Sequence, residues 1–285
     1  MSFYEARPIM NKGRRFVVNK RMIFMLFMSL LLTACSSQPS RENVEVAVAS
    51  DWLVADNVEM RWTIKDGQTS ETGRGTLIRL DIQRDDGKPI EEFDTIHEKL
   101  LHLIVISKDL SYFNHIHPEY KGNGVFETVN VFPAGGEYRL IADFKPTGGD
   151  FMTKMAWVKL GGEPATPVPI VPDANWVKTV EGNRVRLSID RMGANEETTL
   201  TFSVTDEKTG QPATDLQPYL GAIGHVVILS EDGEQYVHVH AVKGQGTGPD
   251  AVFMTQFPKS GIYKIWGQFQ KDNHVFTVAY VVNVP

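Results

Sequence analysis

The chain has 285 residues, with 29 Lys+Arg against 35 Asp+Glu, eight histidines and one cysteine. That length allows one large or two ordinary domains, and a lone cysteine excludes an internal disulfide framework. The acidic balance, which deepens once the basic N-terminal segment is set aside, is the opposite of the clustered Lys/Arg that phosphate binding needs, so nucleic acid is not an expected partner.

The N-terminus carries Lys12, Arg14, Arg15, Lys20 and Arg21 ahead of an apolar run from Met22 to Leu32, followed by Leu32-Thr33-Ala34-Cys35. A basic region, a short apolar region and a small-residue cleavage site make a secretory signal layout. A run of eleven residues is too short for the roughly 20 that span a bilayer as a helix. Leu-Thr-Ala-Cys resembles the lipobox of bacterial lipoproteins, which implies cleavage after residue 34, a lipid on Cys35, and a protein held at the extracytoplasmic face of a membrane. Removing residues 1–34 takes away six Lys/Arg and one Glu, leaving 23 basic and 34 acidic residues and a formal charge of −11. Residues 35–44 then read as the lipidated cysteine and a polar spacer.

From about Glu45 onward, short runs rich in β-branched and aromatic residues alternate with Gly, Asp and Pro, and no 3.6-residue apolar period is sustained. This predicts an all-β protein. The runs are Met60 to Ile64, Thr76 to Gln83, Leu101 to Ser107, Tyr138 to Phe144, Val185 to Ile189, Leu200 to Thr205, Val226 to Ser230 and Tyr263 to Phe269. Asp86-Gly87, Gly135-Gly136 and Asp232-Gly233 are turn signals between them. A segment with four prolines between Gly161 and Pro172 breaks the pattern and reads as a semi-extended linker. The expected division is domain one over 45–162, linker over 163–173 and domain two over 174–285.

The two halves repeat one another. Gly87-Lys88-Pro89 matches Gly210-Gln211-Pro212, Phe132-Pro133 matches Phe257-Pro258, Gly136-Glu137-Tyr138 matches Gly261-Ile262-Tyr263, and Phe144 matches Phe269. The offset grows from 123 to 125 residues, as a two-residue loop insertion would produce. Units of this size with about seven short strands fit tandem immunoglobulin-like β-sandwiches, with a Greek-key barrel as the alternative.

Six histidines fall at matched positions: His102, His115 and His117 in the first unit, His225, His238 and His240 in the second. Alternate residues of a strand share a face, so each His-x-His pair projects one way. A hairpin centred on Asp232-Gly233 would set His225 opposite His240, and one centred on Asp109-Leu110 would set His102 opposite His117. Three imidazoles would then converge in each unit, a donor set for copper, zinc or nickel with a coordination position left open. The same residues are compatible with packed structural histidines. His97 and His274 read as loop histidines, Glu119 as a candidate carboxylate in the first unit alone, Met152 and Met155 as thioethers or core filler, and Trp62, Trp157, Trp176 and Trp266 as core or interdomain packing.

The stretch Leu101-His102-Leu103-Ile104-Val105 through Asn114-His115-Ile116-His117-Pro118, with Gly224-His225 and His238-Val239-His240, resembles bacterial secreted proteins of the YtkA-like type. Those are similar in architecture to the periplasmic copper-resistance sandwich proteins of the CopC kind. The resemblance implies copper as the cofactor, with zinc as the alternative, and a metal-transport protein as a candidate partner beside the membrane itself. The expected function is buffering, delivery or sensing of a metal, one three-histidine site per domain, with no catalytic residue assigned. A zinc-dependent hydratase or hydrolase and a metal-free scaffold are the competing readings.

Overall fold

The computed structural model describes residues 52–65 and 75–285. The signal segment, Cys35 and the polar spacer lie outside the described residues.

The first domain contains β1 (Val58–Lys65), β2 (Gly75–Arg84), β3 (Leu101–Ser107), β4 (Phe113–Ile116), β5 (Glu119–Gly122), β6 (Val125–Val131), β7 (Gly136–Phe144) and β8 (Met152–Leu160). They form two four-stranded antiparallel sheets, in the orders β1-β2-β6-β5 and β4-β3-β7-β8. The second contains β9 (Val177–Val180), β10 (Asn183–Ile189), β11 (Glu197–Asp206), β12 (His225–Ser230), β13 (Tyr236–Val237), β14 (Val239–Ala241), β15 (Asp250–Gln256), β16 (Gly261–Lys271) and β17 (His274–Val284). Its sheets run β14-β15-β11-β10-β9 and β13-β12-β16-β17. With β4, β9 and β13 as added edge strands, β1-β2-β6-β5 faces β3-β7-β8 and β10-β11-β15-β14 faces β12-β16-β17, the immunoglobulin-like order. The protein is therefore all-β, two tandem immunoglobulin-like sandwiches, and each of the eight apolar runs lies within a strand.

Each sandwich closes over its own core. Ile78, Leu80, Leu103, Phe126, Leu140 and Phe144 fill the first, and Leu200, Phe202, Phe253, Ile265, Phe269 and Tyr280 the second. Strands β2 and β11 alternate buried and half-buried residues in the same pattern, as strands with one covered face do. Strand β3 departs from this: Leu101 to Ile106 are buried without interruption. Leu101, Leu103 and Val105 face the first core, while Ile104 and Ile106 join Ile141, Val227, Leu229 and Trp266 in a third apolar cluster shared by the two domains. The sheets carrying β3 and β12 thus press their outer faces together.

Matched residues meet at this contact. Arg139, Ile141 and Asp143 of β7 correspond to Lys264, Trp266 and Gln268 of β16, and all six lie at the domain boundary. Trp266 stacks on Phe113 with ring centroids 5.0 Å apart. Arg139 Nη2–H donates to Glu234 (3.0 Å), Trp157 Nε1–H to the same carboxylate (2.8 Å), and Lys264 Nζ–H to the Leu110 carbonyl (2.7 Å). Repeated surfaces packed in this way imitate a two-fold dimer joined into one chain.

Candidate metal centre

The histidines collect where the two sheets meet. Strand β3 pairs with β4 in the register Leu103↔Ile116 and Ile104↔His115, so His102 and His117 stand at the next position along the hairpin. The nitrogens of His102, His115 and His117 that could serve as ligands all lie within 4.8 Å of one another. Two nitrogens bound to one ion at about 2 Å can be at most about 4 Å apart, so gathering all three would take a movement below about 1 Å.

The second triad is not assembled in the same way. β12 and β13 pair in the expected register, Ile228↔Val237, but β13 ends there. Val239 instead pairs with Thr255 in the opposite sheet, and Thr255 Oγ1–H donates to the His238 carbonyl (2.8 Å), drawing the chain across before His240 can stand beside His225. In the first domain the matching residue, Asn130, accepts from the side chains of Tyr112 and Asn114 instead of bonding the backbone, and β4 stays paired with β3 as far as Ile116. Of the two three-histidine groups expected, the described residues bring His102, His115 and His117 within reach of a shared ion, while the chain leaves β12 before His240 reaches His225.

His225 joins the first domain's group instead. Its ring lies 4.7 Å from His115 and parallel to His102 at 5.9 Å. His238 and His240 remain together, centroids 4.4 Å apart, with Phe151 5.2 Å from His238. They line a cavity of about 400 Å³ along with His97, His102, Asp143, His225 and Tyr236. His97 is exposed, yet its ring reaches within 6.0 Å of both His102 and His225. Its backbone is left-handed (φ 45°) in a tight turn closed by Ile96 and Lys99, and Leu220 holds the equivalent turn position in the second domain.

Both ring nitrogens of His102 and of His115 have hydrogen-bond partners. His102 Nε2 lies 2.9 Å from the Ile96 carbonyl, which can only accept, so Nε2 carries the proton and Nδ1 presents a lone pair. His115 Nδ1 lies 2.8 Å from the Gln268 amide, whose other end is 3.3 Å from Thr277 Oγ1. His115 Nε2 lies 3.1 Å from His102 Nδ1, so the lone pair of His102 is aimed at His115. Buried Nε2 atoms of His117 and His225 have no hydrogen-bond partner among the described residues.

Electrostatics keeps these rings neutral. Burial, then the nearby imidazoles, pushes His115 well below its usual range, and burial followed by neighbouring positive charge takes His117 to about 4 and His225 to about 3. Burial also lowers His102, with a partly opposing contribution from its bond to the Ile96 carbonyl. A neutral imidazole is the form that binds a metal. Beside them, Asp143, opposite His102 in the β3–β7 register, is pushed up by burial while Thr153 and Tyr236 hydroxyls donate to it.

The remaining candidates fall elsewhere. Glu119 is exposed and paired with Lys121 (2.6 Å), Met152 is buried in the first core, Met155 is exposed beside Arg139, and His274 is an exposed hairpin residue 2.5 Å from Glu181. Trp62 and Trp176 pack against the two cores, whereas Trp157 and Trp266 serve the interdomain contact. Gln268 and the Ile96 carbonyl were not evident from the sequence. A polar residue before each matched Phe144 and Phe269, within strand runs whose only other charged members are the matched Arg139 and Lys264, was the available signal for Asp143 and Gln268.

Fold and site together define a tandem immunoglobulin-like protein with a histidine cluster built across its domain boundary. The chain belongs to the family described as "Domain of unknown function (DUF8832)", which matches twice, over residues 54–161 and 178–285. No curated protein matches the sequence. Among solved structures it is similar to InvD of Yersinia pseudotuberculosis (12% identity, TM-score 0.27), covering 81% of this chain but only 58% of that one. It is also similar to the D00-D0 domain of intimin (12%, TM-score 0.22; 79% and 99% covered) and to the titin Ig tandem A164-A165 (9%, TM-score 0.21; 80% and 97% covered). Likenesses this weak say nothing about what the chain binds.

Proposed function

We propose that this chain is a lipid-anchored extracytoplasmic protein that binds one transition-metal ion, copper before zinc, through His102, His115 and His117. The observation that carries this reading is the convergence of three imidazoles whose ligand nitrogens lie within 4.8 Å of one another, two of them, His102 and His115, oriented through their other ring nitrogen by the Ile96 carbonyl and the Gln268 amide. Histidine ligands of metals typically give their second N–H to a carbonyl or carboxylate, which sets the tautomer and ring angle; His102 does so with the Ile96 carbonyl, and the Gln268 amide stands in the same place beside His115. The preference for copper rests on the resemblance to YtkA-like and CopC-type proteins and on the secretory and lipobox-like N-terminus, since imidazoles alone do not separate Cu(II) from Zn(II). With two sandwiches around a single site and no nucleophile motif, buffering, delivery or sensing fits better than turnover.

One observation favours a second reading, a zinc-dependent hydratase: the cavity beside His102 and His225 also presents the buried carboxyl of Asp143. Purified residues 36–285, titrated with Cu(II) and with Zn(II), are expected to take up one tight ion per chain. His115→Ala and His117→Ala should each abolish it. No uptake at micromolar metal would sink the metal reading, and CO₂ hydration or ester hydrolysis by the zinc form would move the assignment to the enzyme.

A further inference from the structure

We infer that His225 reaches from the second domain to become a fourth ligand of the first domain's ion, so that the metal is a clasp between the two sandwiches. This rests on the metal reading above and adds to it a partner for the ion within the chain and a consequence for domain docking.

Three observations converge. His225 Nε2 is buried at the domain boundary without a hydrogen-bond partner among the described residues, although its ring lies 4.7 Å from His115 and parallel to His102. An unsatisfied buried polar atom costs about 1–3 kcal/mol, a penalty that a ligand bond removes. The second domain already orients the first domain's site, because Gln268 on β16 is hydrogen-bonded to His115 Nδ1. Finally, β12 starts at His225 and continues into Val227 and Leu229, which pack on Ile104 and Ile106 of β3. The strands that bring the imidazoles together are thus those that hold the domains together.

Binding to a docked state and not to an undocked one shifts the equilibrium toward docking by mass action. Without the ion, the lone nitrogens of His117 and His225 are liabilities inside the contact. With it, they are bonds across that contact. A membrane-tethered chain of this kind converts metal occupancy into the relative mobility of its two domains, the raw material of a sensor.

The test uses residues 36–285 loaded with Zn(II). X-ray absorption should count four imidazoles on the ion in the unaltered protein and three in His225→Ala, with at least a tenfold loss of affinity in the variant. His238→Ala should change affinity less than twofold. Cleavage of the 161–173 linker by a nonspecific protease should slow at least threefold on metal addition, and not in His225→Ala. Three imidazoles in the unaltered protein, or a His225→Ala protein with undiminished affinity and linker protection, would overturn the clasp while leaving the three-histidine site standing. Failure of the unaltered protein to bind zinc or copper would overturn both.

Discussion

A neutral imidazole has one proton to give, and where it is spent decides what the other nitrogen can do. In His102 the proton goes to the Ile96 carbonyl, while the Nδ1 side of His115 is held by the Gln268 amide. The identical 13-residue spacing in the two repeats made the histidines legible in the sequence. Their orienting partners were not: one is a backbone carbonyl in a turn, and the other is 153 residues from the histidine it serves. Removing an orienting group of this kind typically costs 10–100-fold in metal affinity. Gln268→Leu is therefore expected to weaken zinc binding within that range, measured by competition with a chromogenic chelator. Gln268→Glu, which keeps an acceptor at the same reach, should bind within a fewfold of the unaltered protein. Equal affinities for Leu and Glu would show that Gln268 does not orient His115.

At the scale of elements, the turn centres were legible and the strand ends were not. Asp232-Gly233 sets the β12–β13 register, yet the competing bonds from Thr255 that end β13 come from another sheet and leave no local mark. The same turn has a second duty. Gly233 has a left-handed backbone (φ 75°), and a Cβ placed there would come within 2.7 Å of the Trp157 ring from the first domain. That ring is pinned by its bond to Glu234 and by Arg139, whose guanidinium lies 5.0 Å from its centre. Left-handed strain costs a non-glycine residue roughly 1–2 kcal/mol, so Gly233→Ala should destabilise the protein by about 2–3 kcal/mol once the clash is added. The urea midpoint checks this. In a Trp157→Ala background the same substitution should cost only the backbone share, and an undiminished cost would remove the ring from the explanation.

Across the whole molecule, the interdomain contact was written in the sequence in a form that is easy to misread. A sandwich strand with one wet face alternates apolar and polar residues, as β2 and β11 do. Leu101 to Ile106 and Val226 to Leu229 do not alternate, which says that both their faces are covered, the outer one by something beyond the domain's own core. The repeat supplies that cover, since each domain offers the other the same strands. Trp266 is at the centre of the arrangement, 3% exposed, stacked on Phe113 and grouped with Ile104, Ile141 and Leu229 rather than with its own domain's core. Truncating a buried tryptophan costs about 3–5 kcal/mol where the cavity cannot collapse. Here the loss falls on docking, and both sandwich cores keep their full complement of side chains. Trp266→Ala is therefore expected to divide a single calorimetric unfolding transition into two, one for each sandwich, and to lower metal affinity because His225 and Gln268 are no longer held against His115. A single transition with unchanged cooperativity and undiminished zinc binding would mean that the two domains are joined by their linker and not by this face.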